Sequence, residues 1–288
     1  MNKSINIKAL ELWFATGSQH LYGPETLQQV AKHAAIVSKH LNKAEEVPVK
    51  IVFKDVLKST EEVYNFCLDA NHHKNCIGII TWMHTFSPAK MWINGLKILH
   101  KPLLHLHTQF NRDIPWAAID MDFMNLNQSA HGDREFGFMM TRMRMNRKVV
   151  TGHWQNKEVI NQIAWWTRAV LGWNDWQGAR FVRFGDNMRY VAVTDGDKVE
   201  AELKFGYSVN THGIGDLMGY IRNVKEITVT KLCDEYAGSY KLMPVLKKGN
   251  LRHAALRDAA RIELGIRKFL EEGNYKGFTD TFEDLHGM

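Results

Sequence analysis

Short apolar runs recur through the first half of this chain, each followed by a polar turn and then an amphipathic segment, and that rhythm restricts the fold more than any other feature. Residues 10–15 form the first run. Leu27, Val30, Ala31, Ala34, Val37 and Leu41 then recur at helical spacing, with Gln28, Lys32, His33 and Lys39 elsewhere on the wheel. Residues 47–56 alternate with β-branched side chains and read as a second strand. Ser59-Thr-Glu-Glu62 has the capping-box spacing that starts a helix to about Ala70. Cys76-Ile-Gly-Ile-Ile-Thr-Trp82 has the continuous apolar character of a strand buried on both faces. Ser87-Pro88 opens a helix to about Leu99, and residues 101–107 form another strand. Strand, turn, helix, strand at this interval predicts an α/β fold with a Rossmann-like parallel sheet flanked by helices.

Residues 121–145 read as one helix, 149–152 as a fifth strand and 157–171 as a further helix. Gly172-Trp-Asn-Asp-Trp-Gln-Gly178 breaks the pattern, which places a boundary between an N-terminal domain, 1–172, and a central α/β domain, 178–288. In that second part, residues 179–184, 190–194 and 198–207 read as strands, with Asp195-Gly196-Asp197 as a hairpin turn between the last two. Helices are expected at about 214–222, 229–240 and 252–272, the last stopped by Gly273, with a strand at 278–282. Residues 283–288 supply no closing element, so the second domain is expected to be truncated.

At 288 residues, 45% hydrophobic and 24% charged, the chain has the composition of a globular protein with two modest cores and not of a disordered one. Its 37 basic and 31 acidic residues leave a net charge of +6, scattered and not gathered into a stripe, so no nucleic-acid partner is expected. Cys67, Cys76 and Cys233 lack framework spacing and suit reduced thiols. No apolar run is long enough for a bilayer, and the N-terminus lacks a signal-peptide core. A soluble, cytoplasmic protein with no membrane partner is expected.

Candidate chemistry gathers at the turns. Gly17 to Tyr22, Met83 to Phe86 and Thr108 to Asn111 follow three candidate parallel strands, so a parallel sheet would place all three along its carboxyl edge, where such sheets bind ligands. Each turn alone reads as a connection; three rich in His, Gln and aromatic residues tilt toward a binding edge. Gln128, His131 and Glu135 share one face of the predicted helix, a solvated face or a place to move a proton. His105 and His107 share one side of a strand, without a nearby carboxylate to complete a metal site. Glu283-Asp284-Leu285-His286 invites a metal reading but has no second ligand cluster upstream. No dinucleotide fingerprint, phosphate loop or nucleophile elbow is present.

Long motifs in this chain closely resemble bacterial L-arabinose isomerases. They include Gly17-Ser-Gln-His-Leu-Tyr-Gly-Pro-Glu-Thr26, Trp82-Met-His-Thr-Phe-Ser-Pro-Ala-Lys-Met-Trp-Ile-Asn-Gly95, Met121-Asp-Phe-Met-Asn-Leu-Asn-Gln128 and Ala130-His-Gly132. Val149-Val-Thr-Gly-His-Trp154, Arg183-Phe-Gly-Asp-Asn-Met-Arg189, Ala260-Arg-Ile-Glu-Leu-Gly265 and Phe282-Glu-Asp-Leu-His-Gly287 extend the resemblance to the end of the sequence. The resemblance implies reversible conversion of L-arabinose to L-ribulose, with D-galactose to D-tagatose as a side activity, in a homo-oligomer that is hexameric in the family. It implies Mn²⁺ or a similar ion that polarises the sugar oxygens, and glutamates acting as acid and base. Motif by motif, it implies substrate-binding roles for Gln19, Leu21, Tyr22, Phe86, Gln128, His131, Met188 and Phe282. The family's metal ligands and last domain would lie beyond Met288, so this chain is expected to bind no metal ion and to be inactive alone. The alternative is a non-catalytic sugar-binding or assembly module derived from the same enzyme.

Overall fold

A computed structural model describes residues 6–285, which divide into two compact units, 6–174 and 175–285. The first unit runs β1 (Glu11–Gly17), α1 (Gly23–Asn42), β2 (Lys50–Leu57), α2 (Thr60–His72), β3 (Cys76–Met83), α3 (Ile93–Ile98), β4 (Leu103–His107), α4 (Met121–Leu126), α5 (Ser129–Arg142), β5 (Lys148–Thr151) and α6 (Lys157–Trp176). Its five strands are all parallel, in the order β2-β1-β3-β4-β5. Alternation along β1 explains why the sheet is doubly covered. Leu12 and Phe14 pack with Ala34, Val37 and Leu41 of α1 and Ile163 of α6, whereas Trp13 and Ala15 pack with Val63 and Phe66 of α2 and Phe136 of α5. Every residue of β3 is buried, as its unbroken apolar run requires.

The Ser59 cap forms, and the reciprocal bond expected from Glu62 falls one residue earlier, on Lys58. The Ser59 hydroxyl accepts from the Glu62 N–H, while the Glu62 carboxylate accepts from the backbone N–H of Lys58 at 2.6 Å. All three cysteines are free and buried, and burial pushes the thiols of Cys67 and Cys76 up to about 12 and 11. Among the described residues no helix is long and apolar enough to cross a membrane.

Two expectations for this unit are corrected. The single helix over 121–145 is two helices, because Asn127 leaves helical geometry and Asp120 separately caps the first of them, accepting from the Phe123 N–H at 2.8 Å. The break at Gly172 is absent: α6 passes through it to Trp176, since one glycine costs a helix only about 1 kcal/mol.

The second unit runs β6 (Arg180–Phe184), α7 (Lys198–Phe205), β7 (Ser208–His212), α8 (Ile214–Arg222), α9 (Glu226–Ser239), α10 (His253–Gly273) and β8 (Gly277–Asp280), with a parallel sheet ordered β7-β6-β8. The expected hairpin is not there. Residues 190–194 form a turn and a short 3-10 segment, and 198–207 begin as helix α7. The period-two pattern of Val199, Ala201, Leu203 and Phe205 loses to a local cap, in which the Asp197 carboxylate accepts from the Glu200 N–H at 2.9 Å. The strand is β7, five residues of mixed polarity. Likewise α10 includes Gly273, and the left-handed residue that closes it is Asn274. Val182 and Phe184 of β6 pack with Leu217 and Ile221 of α8 and Phe269 of α10.

Candidate functional site

In the first sheet β1 and β3 are neighbours, with Gly17 opposite Met83, yet β1 leads outward to β2 on one side and β3 leads to β4 on the other. Chain connections therefore diverge at the carboxyl ends of β1 and β3, which opens a crevice there. The turns leaving these two strands carry several of the sequence candidates, and polar ties join them. Ser18 and Thr85 share a buried hydroxyl–hydroxyl hydrogen bond of 2.7 Å, and the Gln19 side-chain amide donates to the Phe86 carbonyl at 3.0 Å.

Helix α5 brings a third wall. The His131 ring, exposed on its first turn, lies 4.7 Å from the Phe86 ring. That approach depends on the next residue. A Cβ at Gly132 would stand 2.7 Å from the Thr85 carbonyl oxygen, closer than such contacts occur. Gln128 precedes α5 and its amide donates to Asn125 at 3.1 Å, so it is an entry residue to the helix and not part of its face. Glu135 is engaged as well, accepting from the backbone N–H of Ala89 at 3.1 Å. Tyr22 is half-buried, its N–H on the Gln19 carbonyl at 3.3 Å, while Leu21 is 83% exposed. Thus Gln19, Phe86 and His131 come together, Gln128 and Tyr22 flank them, and Leu21 faces outward.

The third turn, Thr108 to Asn111, borders a different space. A cavity of about 560 Å³ opens at the carboxyl ends of β4 and β5, lined by His107, Gln109, Asn127 and His153 among others. Behind it the sequence reading is corrected: a carboxylate does stand beside the two strand histidines. Asp133 lies 2.8 Å from His105 Nε2 and 3.9 Å from His107 Nε2, and it accepts from the Met83 N–H at 3.1 Å. Burial pushes the Asp133 carboxyl up and holds His105 down at about 4. Even so, among the described residues no group of three or more His, Cys, Asp or Glu side chains is arranged to hold a metal ion.

An imidazole pair, one ring fully buried and one half-buried, escaped the sequence reading. His33, assigned to the polar side of α1, is half-buried; its Nδ1 lies 2.7 Å from His84 Nε2, with His84 stacked on Trp82 and His33 on Phe110. Burial lowers both, His84 to about 3. The only signal was that His84 directly follows a fully buried strand.

In the second unit Met188 and Phe282 line one cavity of about 620 Å³ at the carboxyl ends of β6 and β8, with Arg183, Asp197, Lys198 and Asp280. Glu283 and Asp284 are occupied by hydrogen bonds from the Arg189 and Asp186 N–H groups, at 2.9 and 2.7 Å. His286 lies outside the described residues.

A model of the L-arabinose isomerase N-terminal domain matches residues 6–178, and one of the L-arabinose isomerase central domain matches residues 180–288. Among similar proteins, the L-arabinose isomerase of Herpetosiphon aurantiacus is 61% identical over 284 residues, covering 99% of this chain and 57% of the relative. That of Geobacillus stearothermophilus is 55% identical over 284 residues, with the same coverages. The L-arabinose isomerase of Flavobacterium johnsoniae is 57% identical over 281 residues, 98% of this chain and 56% of the relative. The chain thus spans a little over half the length of these relatives.

Proposed function

The chain belongs to the L-arabinose isomerase family, and from that premise we propose that its carboxyl-edge residues bind the sugar of an aldose–ketose isomerisation between L-arabinose and L-ribulose, with D-galactose and D-tagatose as a lesser pair. The convergence of Gln19, Phe86 and His131 at the β1/β3 crevice carries the reading. A neutral sugar presents C–H faces and hydroxyl groups, and these residues offer an aromatic ring, an amide and an exposed imidazole. Leu21, Tyr22 and Gln128 extend that surface, and Met188 and Phe282 make corresponding sugar contacts in the second unit.

A divalent ion, Mn²⁺ in this proposal, would polarise the sugar oxygens when bound. The described residues offer no set of ligands that fits it, so the role assigned to this chain is to bind and orient sugar. We place the protein in the cytoplasm as a homo-oligomer, which sedimentation of the purified chain tests.

Function is tested by thermal unfolding of the 288-residue chain with arabinitol, with and without Mn²⁺. A ligand that binds only the folded state raises the midpoint. We expect a rise with arabinitol alone and no further rise with Mn²⁺. No rise at any concentration would remove the sugar-binding assignment. In a parallel ribulose-forming assay we expect no turnover above a no-protein blank.

A further inference from the structure

Met188 and Phe282 are 94 positions apart in the chain, yet the residues beside them are tied together. Phe282 opens a short 3-10 turn, Phe282–Asp284, one residue after β8. The next two side chains of that turn accept from the loop after β6: Asp284 from the Asp186 N–H at 2.7 Å, and Glu283 from the Arg189 N–H at 2.9 Å. The Arg189 guanidinium adds a 3.6 Å ion pair to Glu283. The two backbone donors flank Met188.

The loop is shaped to receive this turn. Gly185 has φ of +79°, and a Cβ there would collide with the Asp284 carboxylate. Arg183 braces the inside of the loop, its guanidinium donating to Asp186 at 2.9 Å and also to Asn187. Packing does little of this work, because Phe282 is 66% exposed and Asp186 and Arg189 are exposed as well. Hydrogen bonds to ionised acceptors are the strong class of such ties.

We infer that Glu283 and Asp284 are positioning residues: acting through the Asp186 and Arg189 N–H groups, they lock Met188 and Phe282 into one wall of the second unit's cavity. The inference rests on the sugar-binding reading only for what that wall contacts. Carboxylates that resemble metal ligands in the sequence are here spent on backbone donors.

The test uses the 288-residue chain, with amide hydrogen exchange at Asp186 and Arg189 and the ¹³C-methyl resonance of Met188, identified by its loss in Met188→Leu. In Asp284→Ala and Glu283→Ala we expect protection of the facing amide to fall about tenfold or more, and the Met188 methyl resonance to move or broaden. Asp284→Asn and Glu283→Gln keep an acceptor oxygen and should restore both signals. Unchanged amide protection in the alanine variants would overturn the inference. So would conservative variants as damaged as the alanine ones, or protection falling equally throughout the unit, since either marks a general loss of stability. If the ties respond as expected while arabinitol binds no variant, the positioning role stands and the sugar reading fails.

Discussion

All eight residues of β3 in the first unit are buried, whereas three of the four residues of β8 in the second are exposed. Both strands end in turns that carry candidate sugar-binding residues, but the turns are held by different means. After β3, His84, Thr85 and Ser87 are fully buried, and Gly132 lets α5 pack against the Thr85 carbonyl. After β8, carboxylates of two half-buried residues grip backbone donors of a neighbouring loop. A doubly covered sheet backs the polar ties at its edge with packing, whereas a thinly covered one relies on discrete polar ties. The first kind of edge fails by losing volume, the second by losing single acceptors.

The largest effect expected from this contrast is on the cores. Phe14 is fully buried between β1 and its covering helices, so Phe14→Ala should cost about 3–5 kcal/mol in urea unfolding. Phe278, 44% exposed on β8, should cost less than about 1 kcal/mol as Phe278→Ala. Equal losses would break the contrast. Next comes Gly132→Ala, whose added methyl meets a backbone oxygen and forces α5 away from the turn. We expect a loss of about 2–3 kcal/mol and a weaker rise in midpoint with arabinitol.

Acid sharpens the same comparison through the buried imidazoles of the first unit. The folded-state values of His33 and His84 are lowered, so below about pH 6.5 the unfolded chain binds more protons, and stability is lost as pH falls toward 3. For His84 alone the loss should reach about 2 kcal/mol by pH 5. Asp133, raised by burial, acts in the opposite sense, because its cost is relieved as the carboxyl protonates. His105 and His153, also lowered, act in the same sense as the pair. Stability curves of the wild type and His84→Gln between pH 7 and 5 separate the pair from these neighbours. Parallel curves would show that the pair does not titrate with unfolding.

The parallel sheet and its edge were legible because strand burial and helix amphipathicity both leave periodic traces. Gln19 and Phe86 fall on turns by that rhythm, His131 falls inside what reads as one helix over 121–145, and their proposed roles come from motif resemblance. The second unit was harder to read. Residues 198–207 alternate like a strand, and the Asp197 cap overrides that alternation. β7 mixes polar and apolar residues and leaves no periodic trace. Pairings across 51 positions, such as His33 with His84, depend on tertiary register that local sequence does not encode.

The prediction that bears most directly on packing against polar ties is also a small one. Gln19→Ala removes the amide that donates to the Phe86 carbonyl, in a part-buried bond. Water can replace part of that donor, so the loss should be about 1 kcal/mol, a fall of roughly 2–4 °C in the midpoint for a unit of this size. If packing fixes the first edge, Phe86 stays beside His131 without the tie, and Gln19→Ala costs less stability than Gly132→Ala. Arabinitol should then raise the midpoint less than in the wild type, because a proposed contact group is gone while the turn keeps its place. A stability loss from Gln19→Ala that equals or exceeds that of Gly132→Ala would reverse the assignment: the first edge, like the second, would hang on single hydrogen bonds.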